Sequence, residues 1–207
     1  MIWYKTIPKH LVRLSHQLDN FMTKLILASK SPRRKQILKE NGFKFKVIPA
    51  NIDEEKYISL PPLTMIKTLS RLKSEKIFKQ YKNSIILGAD TTVVLGKEML
   101  GKPTNLMEAK EMLKKLSGST HTVYTGFTII NPINNTKTTS YASTKVTFKK
   151  LSERDIYEYI NNNNVLDLAG SYAIQEGAGE FVNKIEGDYL NVIGLPTKAI
   201  TKLKKMV

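Results

Sequence analysis

Six consecutive residues, Ser29-Lys30-Ser31-Pro32-Arg33-Arg34, bring hydroxyls and cations together just after the apolar run Leu25–Ala28. Ser31 is a good helix N-cap and Pro32 suits the first helical position. A helix start offers free N–H groups and the positive end of its dipole, so the segment is a candidate phosphate site. It fits an ordinary strand–turn–helix with solvated arginines as well. Asp90, in Gly88-Ala89-Asp90-Thr91-Thr92, follows the apolar stretch Ser84–Ala89. The expected place is a strand's carboxyl end, where open α/β sheets bind ligands. A plain turn aspartate is the alternative. Asp53, Glu54 and Glu55 could hold a divalent cation together with Asp90, and oxygen-only ligands suit Mg²⁺ or Mn²⁺. Lys102 and Lys76 are candidate cations for the same place, each equally readable as solvated surface. Gln175, between Gly170 and Gly177, could recognise a base edge, or project as an exposed amide from a bulged strand.

Positioning these groups takes alternating strands and helices. Lys24–Ala28, Phe43–Ile48 and Ser84–Ala89 read as strands, and Pro32–Glu40 as a helix with Ile37 and Leu38 inward. A longer helix runs from Pro62 to about Lys82, with Leu63, Ile66, Leu69 and Leu72 at helical spacing. Gly96-Lys97 marks a hairpin between Thr91–Leu95 and Glu98–Leu100. Leu106–Leu116 is the next helix, followed by β-rich stretches Thr120–Ile130 and Thr138–Phe148, a helix from Ser152 with a capping box at Asp155, and a last helix after Pro196. Parallel-type units plus an antiparallel hairpin give a mixed-sheet α/β domain.

At 207 residues the chain suits one domain, with room for two lobes. It has no cysteine, which excludes disulfides and thiolate metal sites and fits a reducing compartment; His10, His16 and His121 are too dispersed for zinc. No apolar run reaches membrane-spanning length. The net charge of +15 invites a nucleic-acid reading. The lysines, however, are spread along helices such as that holding Lys67, Lys73, Lys76 and Lys79, and no nucleic-acid-binding signature accompanies them. A small polyanionic substrate would benefit equally from the field. Residues 1–23 read as an extension preceding a domain of 24–207; an amphipathic targeting segment, or a start at Met22, is the alternative.

Taken together, the motifs resemble the Maf family of nucleoside triphosphate pyrophosphatases. The matching residues are Ala28-Ser29-Lys30-Ser31-Pro32-Arg33-Arg34, Ile52-Asp53-Glu54, Arg71-Leu72 with Glu75-Lys76, Gly88-Ala89-Asp90-Thr91, Leu116-Ser117-Gly118 with His121, Tyr172-Ala173-Ile174-Gln175, and Ile185 to Pro196. The likeness covers residues 24–206. It implies an elongated, two-lobed α/β domain with a central cleft, similar to the inosine triphosphatase fold, and a homodimer. It implies hydrolysis of a nucleoside triphosphate to monophosphate and pyrophosphate in the cytoplasm. By the same resemblance Asp90 matches the proton acceptor, Arg33, Thr91 and Gln175 match positions bearing on substrate choice, and Ser31, Arg34, Glu54, Lys76 and Lys102 match residues lining the site. Arg, Thr and Gln at the three specificity positions resemble the dTTP/UTP-hydrolysing branch rather than the 7-methyl-GTP one.

The chemistry is consistent with that expectation. Arginines can hold phosphate oxygens bidentately, while lysines act as mobile point charges. Asp90 at an ordinary carboxylate pKa of about 3.9 is a weak base, which calls for a Mg²⁺ or Mn²⁺ at Glu54 and Asp90 to acidify the attacking water; base, metal ligand or both are open roles for it. The Gln175 amide can pair with the imide edge of uracil or thymine, and with cytosine if it flips. Discrimination therefore needs a neighbour to fix the amide, and Thr91 is the candidate. Two other readings stay open: a non-enzymatic regulator of cell division that binds nucleotides or nucleic acid, and a purine-specific pyrophosphatase of inosine triphosphatase type.

Overall fold

The computed structural model describes residues 25–206; the 1–23 extension lies outside them. Strand β1 (Leu25–Leu27) is buried at every residue and is flanked by two parallel neighbours, β2 (Phe45–Val47) and β3 (Ile85–Leu95). The remaining pairings are antiparallel: β3 with β4 (Glu98–Leu100) and β5 (Thr120–Asn131), β5 with β6 (Thr136–Phe148), and β6 with β7 (Val182–Glu186). Among the described residues these strands form one mixed sheet, ordered β2-β1-β3-β5-β6-β7 with β4 beside β3. The expected mixed-sheet α/β class is what the chain adopts.

Local signals set the helix ends. Helix α1 (Pro32–Glu40) starts where Ser31 Oγ accepts from Arg34 N, and it buries Ile37 and Leu38 completely. Helix α2 (Pro62–Gln80) packs on the sheet. Asn105 caps α3 (Leu106–Leu116), and a Ser152–Asp155 capping box opens α4 (Glu153–Asn162). Two short helices close the chain, α5 (Tyr189–Ile193) and α6 (Thr197–Lys204). Within the described residues no helix is long and apolar enough to cross a membrane.

The pairing of β3 makes room for a site. β5 covers one edge of β3 from Ile86 to Val94. On the opposite edge β1 pairs with Ile85–Leu87 and β4 with Val93–Leu95, so Gly88–Thr92 has no strand beside it there. This corrects one expectation. Ser84–Ala89 and Thr91–Leu95 are a single strand, and Asp90 lies in its middle, opposite Gly126, rather than at its end. A charged residue interrupts the apolar pattern without interrupting the hydrogen-bonded ladder.

Two apolar cores lie toward the two ends of β3. One joins Leu25, Leu27, Ile37, Ile85 and Leu87 to Ala199, Ile200 and Leu203 of α6. The other joins Val93 and Leu100 to Leu113 and Leu116 of α3 and Ile156 and Ile160 of α4. The cleft opens between these lobes. Residues 168–179 are not the bulged strand that was one reading of them: the chain makes 3₁₀ turns at Ala169–Ser171 and Ala178–Phe181. The strand of this region is β7, an edge whose half-exposed, polar sequence carries a weak signal.

Candidate active site

A cleft of about 1110 Å³ lies along the open stretch of β3, lined from both lobes. Ser31, Arg33, Arg34, Glu54, Asp90, Thr91, Lys102 and Gln175 all border it. Lys76 does not. Its Nζ donates to Asn51 O at 2.6 Å, on the other side of the loop that carries Glu54. Asp53 also turns away and pairs with Lys56 at 3.1 Å. Lys76 is thus corrected from a site cation to an anchor of that loop.

The α2 lysine that lines the cleft is Lys73, which the sequence did not single out. Nζ donates to Asp90 Oδ1 at 2.7 Å and pairs with Glu54 Oε1 at 2.9 Å. Lys73 is buried and stands one helical turn beyond Leu69 and two beyond Met65, which line the same wall. A lysine continuing an apolar i, i+4 row is the signal that could have found it. Lys76 is about 60° further round the helix, enough to face the loop instead.

The approach of α2 to β3 depends on two glycines. A Cβ at Gly88 would lie 2.6 Å from Ser70 O, and one at Gly126 2.6 Å from Ile66 O. Gly88 therefore admits the helix, and so brings Lys73 to Asp90.

Burial pushes the Asp90 carboxyl above the ordinary carboxylate value, against the pull of Lys73 and Arg34. Glu54 differs: its partial burial also pushes upward, but Lys73, Lys102 and Arg34 outweigh that and hold it below the usual value. The two acids thus divide, Asp90 toward proton acceptance and Glu54 toward permanent charge.

Arg34 is buried and nearly saturated. Nε donates to Gly194 O at 2.8 Å, Nη1 to Ser29 Oγ at 3.0 Å and Ala89 O at 2.9 Å, and Nη2 to Thr91 Oγ1 at 2.9 Å. A single Nη2 hydrogen is left for any phosphate. Arg34 therefore fastens α1, the open edge of β3 and the end of α5 together, where a two-pronged phosphate clamp was expected. Its charge still acts on Asp90.

Thr91 belongs to the same network. Thr125 spends its hydroxyl hydrogen on Asn191 O at 3.0 Å, so the hydrogen between Thr91 and Thr125, 2.9 Å apart, comes from Thr91. Thr91 has none left to donate to Gln175. Gln175 is exposed at the cleft, and no hydrogen bond holds its amide among the described residues. Arg33 pairs with Glu176 at 3.1 Å, and Lys102 and Lys30 approach Asp167 Oδ1 at 3.6 and 4.0 Å.

Deeper in the second lobe His121 Nε2 meets Tyr172 Oη at 2.7 Å, while Nδ1 has no partner within the described residues. Burial lowers the His121 pKa to about 4 and raises that of Tyr172.

Among the described residues no three His, Cys, Asp or Glu side chains converge as a metal cage. Glu54 Oε1 and Asp90 Oδ1 both meet Lys73 Nζ, so it is their other oxygens, Oε2 and Oδ2, that remain for a cation. Two carboxylates fit a hard cation of Mg²⁺ type, which commonly takes one or two protein ligands and completes its shell with water and phosphate oxygens.

A family model described as Maf-like protein matches residues 24–206. The dTTP/UTP pyrophosphatase of Syntrophus aciditrophicus is 41% identical over 182 residues, covering 88% of this chain and 89% of its own. Those of Geobacillus sp. and Bacillus anthracis are 40% and 42% identical over 89% of this chain, and over 99% and 96% of their own. Among solved structures, a HAM1 protein from Coxiella burnetii aligns with a TM-score of 0.50 and 13% identity, over 89% of this chain and 98% of its own. That likeness speaks to fold alone.

Proposed function

This chain belongs to the Maf-like protein family, and from that premise we propose that it hydrolyses dTTP and UTP to the monophosphate and pyrophosphate. The names of the relatives support the activity and substrate class. The observation that carries the reading to particular residues is Lys73 held between Asp90 and Glu54 in a cleft that Arg33, Lys30 and Lys102 also border.

A triphosphate entering the cleft meets the field of these cations, which offsets its charge as an anionic nucleophile develops. Asp90 accepts the proton of the water that attacks the α-phosphorus. Its burial makes it a stronger base than a solvated carboxylate. Lys73 favours the ionised form of Asp90 against its burial and directs it into the cleft. Glu54 and Asp90 would hold Mg²⁺ or Mn²⁺, which supplies neutralisation of phosphate charge when bound. Gln175 faces the base. A homodimer and a cytoplasmic setting belong to this proposal through family resemblance.

A panel of dTTP, UTP, ATP, GTP and ITP, scored for released pyrophosphate with Mg²⁺, Mn²⁺ or EDTA, tests the function. The expected outcome is preference for dTTP and UTP and loss of turnover in EDTA. Asp90→Asn should lower kcat at least about a hundredfold in a folded protein. Nucleotide binding without turnover by the wild type would favour the regulator, and a preference for ITP the purine enzyme.

A further inference from the structure

We propose that Glu176 is a specificity-determining positioning residue, which acts through Arg33 to hold the turn presenting Gln175. The assignment rests on the dTTP/UTP reading above and says how that selectivity is built.

The need for such a residue comes from Gln175 itself. An amide that rotates freely offers its donor or its acceptor equally well, so it cannot by itself separate one base edge from another. Thr91 has spent its hydrogen on Thr125, and no other side chain holds the Gln175 amide among the described residues. Selectivity must then come from where the backbone places Gln175 relative to the triphosphate site.

That backbone is a tight turn. Ala173 O accepts from Glu176 N at 3.0 Å and from Ala178 N at 3.3 Å, and Gly177 supplies a φ of +88°. Ala173 N donates to Tyr159 Oη at 3.0 Å, which ties the turn to α4 in its own lobe. Within the described residues, the polar tie from this turn to α1 is one bond, Arg33 Nη1 to Glu176 Oε1 at 3.1 Å. The post at the other end is firm, because the next residue, Arg34, is fastened at four points. Together with Ile174, which packs against the apolar core containing Ile37 and Leu38 of α1, the ion pair therefore fixes the distance between the segment at Ser29–Arg34 and the base-facing amide.

Glu176 also neutralises Arg33, and the two roles separate experimentally. If Arg33, once freed, acts as a phosphate ligand, it would change KM for every triphosphate alike, since all carry the same phosphates. Loosening the turn would change the ratio between bases. The test measures kcat/KM for UTP and GTP in the wild type, Glu176→Ala and Glu176→Gln, with thermal midpoints as a check on folding. The pair is partly exposed, at 20% and 40%, so its contribution is modest. Glu176→Ala should lower the UTP-to-GTP ratio by up to about fivefold through KM for UTP, with kcat nearly kept. Glu176→Gln, whose Oε1 can still accept from Arg33, should keep most of the ratio. Equal changes in both KM values with the ratio intact would overturn the assignment and leave Glu176 as charge compensation. A wild type without UTP preference would fail the substrate reading first and this inference with it.

Discussion

Lys73 Nζ donates to Asp90 Oδ1 across 2.7 Å, joining the middle of α2 to the strand-free edge of β3. Two opposed effects meet in that bond. Burial favours the protonated acid, and the ammonium favours the carboxylate. The net result lies above the ordinary value.

Replacing Lys73 by Met removes the opposing charge and leaves the burial. The pKa of Asp90 then rises further. Activity needs the carboxylate, which forms as pH rises through that pKa, so the acid limb of the kcat/KM profile should move to higher pH. The measurement is a pH–rate profile with UTP for wild type and K73M. A limb that stays in place would detach Asp90 from the limb or Lys73 from Asp90.

Arg34→Lys tests the fastening role. A lysine ends in one compact ammonium and cannot reach Ser29, Ala89, Thr91 and Gly194 together. Buried carbonyl and hydroxyl acceptors would be left unpaired, at an expected cost of about 2–4 kcal/mol in urea unfolding. An unchanged midpoint with reduced affinity for triphosphate would instead make Arg34 a phosphate ligand first.

His121 predicts a pH dependence of stability. Its folded pKa is lowered from 6.5 to about 4 by burial. Above the unfolded value the ring is neutral in both states and the fold loses nothing. As pH falls below 6.5 the unfolded chain takes up a proton that the folded protein refuses until about pH 4, so stability falls through that window. The loss attributable to this ring is about 2 kcal/mol by pH 5. Denaturant unfolding of wild type and His121→Gln at pH 7 and pH 5 would show it, the variant losing less between the two. Equal losses would mean that the ring accepts its proton in the fold.

How much of this was legible in advance follows the range of the forces involved. Helix Pro32–Glu40 was readable because its cap, Ser31, acts on N–H groups within one turn. The Gly96-Lys97 hairpin was readable for the same reason. Asp90, Glu54, Arg33 and Gln175 could be marked as chemistry-bearing from residue type, local motif and family likeness, and all reach one cleft.

The assignments within the cleft were decided elsewhere. Lys76 was the lysine marked in advance, and it was the close seating of α2 on Gly88 and Gly126 that brought Lys73 to Asp90 instead. The role of Arg34 was decided by Gly194, 160 residues along the chain, whose carbonyl takes its Nε. Sequence by itself determined which elements form and which side chains could do chemistry, because caps, turns and periodicity are local. Tertiary structure alone decided which cation meets which carboxylate and how deeply Asp90 is buried, because ion pairs and desolvation depend on distances that arise only when remote segments pack.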